Sequence, residues 1–357
     1  MNEASPAHPY IPNSAPVARE AMLEAIGAQT VEELYAAIPS RLRVPGLLDL
    51  PEPVRSEYAL RRHVSGVLDR NQSCVERLSF LGGGCWPHYV PAVCDEIVNR
   101  GEFLTAYYGD TYGDHGKLQA LFEYASLLGE LVQCDAVSQP TYDWGAAAAT
   151  AICMAARITG RGVGLVPASI GAQRRSLIEG YCEPWVELLT IPFDPATGLL
   201  NLGHIRAALT SDTACVYFEM PGFLGVVETQ AQEIAALARE VGALTVVGVD
   251  PISLGVLEAP PRYGAEIVCG ELQPLGIHMH YGGGAAGFVA SEDSERFVSE
   301  YPTFLIGLGP TVADDELGFG EVVWEWTSYV QRGASKEYTG TTQGLWAIAA
   351  GAYLALL

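Results

Sequence analysis

Four places in this sequence carry side chains whose types and spacing could do chemistry. Tyr142-Asp143-Trp144-Gly145 heads an apolar stretch, GAAAATAICMAARI, over 145–158. The first turn of a helix leaves backbone N–H groups without partners, and an anion bound there also meets the positive end of the helix dipole. Asp143 has a simpler role open to it as the N-cap of the same helix. Asp250, in VVGVDPISLG, directly follows an apolar run, which puts it at the carboxyl end of a strand, where open α/β sheets bind ligands. His278 and His280, in GIHMHYGGG, would share one face of an extended segment. As a pair they could ligate a metal, or with Asp250 serve as acid or base. No third ligand stands nearby, so a metal centre is not expected. Imine chemistry needs an amine, and lysine is scarce: the 20 basic residues divide into 18 Arg and 2 Lys, Lys117 and Lys336. Gly282-Gly283-Gly284 lacks the spacing and the strand-to-helix setting of a dinucleotide loop, and a GxSxG elbow and a P-loop are missing.

The elements that must position these residues are legible as periodic runs. GVGLVPA, VELLTIPF, TACVYFEM, ALTVVGVD and EIVCGEL recur between helical stretches such as 228–242. Short buried strands alternating with helices predict a mostly parallel α/β sheet. The stretch 145–158, apolar on every face and rich in small side chains, predicts a helix buried against that sheet. Leu118, Leu121, Phe122, Ala125 and Leu128 predict an amphipathic helix over 117–131. Ahead of this body, residues 1–75 read as a helical arm. Thr30-Val-Glu-Glu33 is a capping box in front of Leu34, Tyr35 and Ile38, and Pro39 closes that helix. Residues 76–300 then form a large α/β domain, and 301–357 a return segment with the start of a truncated C-terminal part.

Charge and composition narrow the partners. Twenty basic against 42 acidic residues leave a formal charge of −22, which excludes a phosphate-backbone reader and an anionic membrane surface. With 49% hydrophobic and 17% charged residues the chain is globular. Its 8 Cys are scattered, with no CxxC pair, as in a reduced, cytoplasmic protein. The N-terminus has neither the basic nor the apolar region of a signal peptide. Residues 338–357 carry no charge, but only the last 13, LWAIAAGAYLALL, are predominantly apolar, short of the ~20 needed to span a bilayer. A buried helix is expected there, covered by a partner or by further chain, since the sequence stops inside the pattern without a cap.

Several segments resemble one family. SFLGGGCWPHYVPAV (79–93), EFLTAY (102–107), LQALFEY (118–124), TACVYFEMPGFLGVVE (213–228), DPISLG (250–255), GELQPLG (270–276) and GFVA (287–290) are similar to subunit 1 of the glycine cleavage system P-protein, the pyridoxal-phosphate-dependent glycine decarboxylase in its two-subunit form. The likeness is collinear along the chain. It implies a fold type I large domain of the aspartate-aminotransferase kind. It also implies a homologous, lysine-bearing subunit 2 as partner, and an aminomethyl group passed to the lipoyl arm of an H-protein. It puts Asp250 where fold type I enzymes keep the aspartate that pairs with the pyridinium nitrogen. Gln273 falls where the partner subunit has its aldimine lysine, and a glutamine cannot form an imine. The degenerate cofactor-site candidates are therefore Asp143, Trp144, Gly145, Asp250 and Gln273, with no confident catalytic residue in this chain. Pyridoxal phosphate is expected on the partner and not covalently on this subunit, which is expected to be inactive alone.

The chain also departs from the family's pattern. YGDTYGDHGK (108–117) looks shortened, Trp144 replaces a usual Gly, and Gly171 replaces a typical His. FGEVVWEWTSYVQRGASKEYTGTTQ (319–343) replaces a basic segment, although it still ends in Thr342-Gln343. After YLAL the resemblance implies a closing small domain, expected to be missing from this chain. Changed loops on a kept scaffold mean altered ligand contacts. Three functions stay open: a lysine-lacking subunit of a glycine or small-amino-acid decarboxylase, including a divergent paralogue in another amino-acid pathway; a scaffold or regulatory subunit; or an enzyme using Asp250, His278 or His280.

Overall fold

The computed structural model describes residues 7–44, 46, 48–104, 115–303, 305–322, 336 and 342–357. They divide into two units, Met1–Ser73 and Cys74–Leu357. The first unit holds helices α1 (Pro16–Ile26) and α2 (Glu57–Leu68), and none of its described residues is buried. The capping-box segment makes a single 3-10 turn, Val31–Tyr35, in place of an α-helix. Glu33 does reach back, accepting from the Gln29 N–H at 3.2 Å and the Thr30 hydroxyl at 3.4 Å. Pro39 lies too close for a second turn, because its ring biases Ile38 away from helical geometry.

In the second unit the apolar runs fold as strands. They are β1 (Ala136–Val137), β2 (Val163–Pro167), β3 (Glu187–Ile191), β4 (Thr213–Met220), β5 (Leu244–Val249), β6 (Ile267–Glu271) and β7 (Gly287–Ser291). Their order in the sheet is β1-β7-β6-β5-β4-β2-β3. The pairs from β3 through β6 are parallel, while β7 runs antiparallel to both β6 and β1. The parallel sheet expected from the alternating runs is present. GFVA (287–290) supplies the antiparallel return.

Helices α3 (Ala92–Val98), α4 (His115–Val132), α5 (Trp144–Thr159), α6 (Ala172–Cys182), α7 (Leu202–Ala208), α8 (Ala231–Glu240), α9 (Glu295–Val298) and α10 (Gly344–Leu354) surround the sheet. A separate hairpin joins β8 (Leu305–Pro310) to β9 (Leu317–Val322). Its glycine-rich strands lack the β-branched signature that made the others legible. Residues 108–114 and most of 319–343 lie outside the described residues, and 115–117 open α4.

Successive strand residues point to opposite faces, and two cores result. Tyr217, Val246, Cys269 and Val289 pack with Ile152 and Met154 of α5 on one face. Phe218, Val247, Val249 and Phe288 pack with Leu121 and Leu128 of α4 and Ile348 of α10 on the other. The small side chains of α5 let it lie close on the sheet: Trp144 through Ala155 are all buried. The apolar C-terminal stretch is the buried α10, and no helix among the described residues is long and apolar enough to cross a membrane.

Candidate functional site

The amino end of α5 meets the carboxyl ends of β4, β5 and β6, the place where such a sheet offers a ligand crevice. Asp143 is the N-cap of α5, its Oδ1 accepting from the Ala146 N–H at 2.7 Å. Glu271, the last residue of β6, is 1% exposed. Its Oε2 accepts from the Trp144 N–H at 3.1 Å, and its Oε1 from the N–H groups of Gln273 at 3.1 Å and Ala286 at 2.7 Å. Two of the helix N–H groups that an anion would use, those of Trp144 and Ala146, are thus answered from within the chain. Gly287 makes this approach possible, because a Cβ there would come within 2.1 Å of the Asp143 carbonyl oxygen.

Burial pushes the Glu271 carboxyl up to about 8, against the opposing pull of its three N–H donors. Its folded value lies above the ordinary 4.5. The stability it contributes is therefore full below that pH and is lost as pH rises through about 8. Denaturation midpoints measured from pH 5 to 8.5 should fall with rising pH, by up to about 5 kcal/mol of unfolding free energy from this group. Glu271→Gln, which cannot ionise, should flatten the slope.

Beside Glu271 the crevice holds an aromatic and a buried ion pair. The Trp144 indole, 4% exposed, leans over β5 with Nε1 only 2.7 Å from the position a Cβ on Gly248 would take. The Tyr217 hydroxyl approaches the same point to 2.7 Å. Arg174 comes in from α6 with its Cζ 3.6 Å from the centre of the Trp144 ring, as in a cation–π contact. Its Nη1 pairs with Glu219 Oε1 at 2.6 Å, and the Tyr217 hydroxyl donates to the same oxygen at 3.0 Å. Burial raises the Glu219 carboxyl while Arg174 opposes the shift, and burial holds the Tyr217 phenol well above its usual range, so it stays a donor. None of Arg174, Tyr217, Glu219 and Glu271 was picked out from sequence. The available signal was an acidic residue inside each of two apolar strand runs, TACVYFEM and EIVCGEL, since a buried carboxylate needs a partner.

Gln273 is fully buried just beyond β6. Its Oε1 accepts from the Trp86 N–H at 2.9 Å, and its Nε2 donates to the carbonyls of Trp86 at 3.1 Å and Ile277 at 2.9 Å. The amide pairs with the Trp86 backbone as a neighbouring strand would. Of the two lysines, Lys117 is buried in the first turn of α4. Lys336 donates to the Ser299 carbonyl at 2.8 Å and to Glu300 Oε2 at 2.5 Å. Asp250 follows β5 and caps the turn after it, accepting from the Ile252 N–H at 3.0 Å. Burial raises its carboxyl, with the nearby His88 opposing. At Gly171 the Phe223 ring stands 2.9 Å from the position a Cβ would occupy.

The segment of His278 and His280 is not extended, because the chain turns there, yet the two rings stay edge to face with centres 6.0 Å apart. His280 and Tyr281 are left-handed at φ 42° and 57°, leading into Gly282 at 93°. His278 Nε2 lies 3.0 Å from Asp95 Oδ1, and His280 stacks on Trp346 with ring centres 4.9 Å apart. Among the described residues no group of three or more His, Cys, Asp or Glu could hold a metal ion.

Pyridoxal phosphate does not fit the residues of this crevice. An indole and a guanidinium fill the head of the crevice, Glu271 and Asp143 occupy the Trp144 and Ala146 N–H groups, and Gln273, an amide that cannot form an imine, is held by Trp86 and Ile277.

Comparison with known proteins gives the chain its relatives. The model of the glycine cleavage system P-protein family matches residues 8–357. A Staphylothermus marinus protein named glycine dehydrogenase (decarboxylating) subunit 1 is 37% identical, covering 98% of this chain and 76% of its own length. A Thermococcus kodakarensis protein of the same name is 36% identical over the same shares. A crystal structure of glycine decarboxylase (P-protein) of the glycine cleavage system, in inhibitor-bound form, superposes with TM-score 0.80 at 33% identity, covering 96% of this chain and 76% of that one. A cysteine desulfurase from Thermococcus onnurineus shares the fold alone, at TM-score 0.52 and 15% identity over 75% of this chain and 64% of that one. The sheet order, the buried α5 and these superpositions together make the large domain a fold type I domain, and the chain belongs to the glycine cleavage system P-protein family.

Proposed function

We propose that this chain is the lysine-lacking subunit of a two-component, pyridoxal-phosphate-dependent decarboxylase of glycine. The observation that carries the reading is Gln273: at the position of the aldimine lysine stands an amide, with both ends engaged by Trp86 and Ile277. The partner is a homologous, lysine-bearing subunit 2, a reading supported by relatives named subunit 1. In the partner's site the cofactor supplies the electron sink for decarboxylation. This chain's part is structural: it completes and stabilises that site, and it is inactive alone. The aminomethyl product passes to the lipoyl arm of an H-protein, in the cytoplasm.

Co-expression with a lysine-bearing homologue tests this. The pair should purify together, show the absorbance of a pyridoxal aldimine and release CO₂ from glycine only when lipoylated H-protein is present, while this chain alone stays colourless. Failure of the pair to assemble, or an aldimine trapped by borohydride on Lys117 or Lys336, would sink the reading. A second reading, a paralogue serving another small amino acid, draws support from Trp144 and Gly171. CO₂ release from an amino acid other than glycine, measured over a panel, would favour it.

A further inference from the structure

We infer that this chain's crevice is closed to a cofactor by its own side chains, independently of the missing lysine: the Trp144 indole under Arg174 takes the aromatic space, and Glu271 takes the anion-accepting N–H of α5. The inference deepens the proposed reading, in which the cofactor of the pair lies in the partner.

Three observations carry it. The first is volume. The Trp144 ring sits between Arg174 and Gly248, and Gly145 behind it has no slack, since a Cβ there would come within 2.6 Å of Leu177. A close-packed interior leaves no second ring-sized space beside the first. The second is the state of the indole N–H, which is buried without a hydrogen-bond partner. Leaving such a donor unmade has a cost, so the ring is held by its packing and by the guanidinium, as a plug is. The third is the donor set. Arg174, the guanidinium on the Trp144 ring, is already paired with Glu219, and Glu271 and Asp143 hold the Trp144 and Ala146 N–H groups at the head of α5. A phosphate entering here would find those donors taken.

Adding back a lysine therefore does not restore a cofactor site. The test uses the full chain and two probes. Equilibrium dialysis of the wild-type chain against pyridoxine 5′-phosphate, which cannot form an imine, should show no saturable uptake. Gln273→Lys, treated with pyridoxal 5′-phosphate and borohydride and mapped by peptide mass, should carry no adduct at position 273. The double variant Q273K/W144G should gain one. Saturable uptake by the wild type that Arg174→Leu abolishes, or an adduct at position 273 in the single variant, would overturn the closure. An adduct in neither variant would count against Trp144 as the obstruction. Should either variant fail to fold, the wild-type dialysis still decides. In the co-purified pair the wild type should hold one equivalent of cofactor per heterodimer, and two equivalents would refute the inference. Failure of the pair to assemble bears on the proposed function alone, because the dialysis needs only this chain.

Discussion

Replacing Arg174 with leucine should lower the unfolding free energy by about 3–5 kcal/mol, the range for removing one partner of a buried ion pair. Arg174 and Glu219 have side chains only 12% and 2% exposed, and they meet at 2.6 Å. Without the guanidinium, the Glu219 carboxylate stays buried with the Tyr217 hydroxyl as its remaining donor. It must then take up a proton or draw in water. Replacing both partners together, as R174L/E219L, should recover much of the loss, since no charge is then stranded. Urea midpoints of the two single variants and the double would read this out. A double variant as unstable as the sum of the singles would show that the pair is not coupled.

Trp144→Ala should also cost about 3–5 kcal/mol, as large-to-small changes in a packed core do. The ring is buried against Tyr217 and Gly248 and carries Arg174 on its face. Its removal leaves a cavity and takes away a desolvated cation–π contact worth about 2 kcal/mol. Trp144→Phe keeps a ring in the space and should lose far less. Because Trp144 and Arg174 touch, their combined loss should be smaller than the sum of the two. Additive losses, measured by the same denaturation, would mean that the two side chains do not act as one unit.

The backbone frame was largely legible. Five of the strands follow the apolar runs seen in the sequence, and α5 follows GAAAATAICMAARI with Asp143 as its N-cap. Local patterns suffice there, because burial on both faces demands continuous apolar character and a cap needs only a nearby side-chain oxygen. The two histidine rings do lie side by side, 6.0 Å apart, but not on an extended segment. Alternation along an extended segment was the simplest geometry for GIHMHYGGG, but left-handed residues at His280 and Tyr281 turn the chain, and such angles leave little trace in non-glycine residues.

The amino-acid sequence by itself determined the strong acidity, the scarcity of lysine and a glutamine, Gln273, just after the EIVCGEL run. These are properties of composition and position, readable without coordinates. Only the tertiary structure decided that the crevice is filled. Trp144, Arg174 and Glu219 are brought together from α5, α6 and β4, and Glu271 reaches the α5 amino end across 127 residues of chain. Contacts of that range depend on crossover packing, and no local periodicity encodes them.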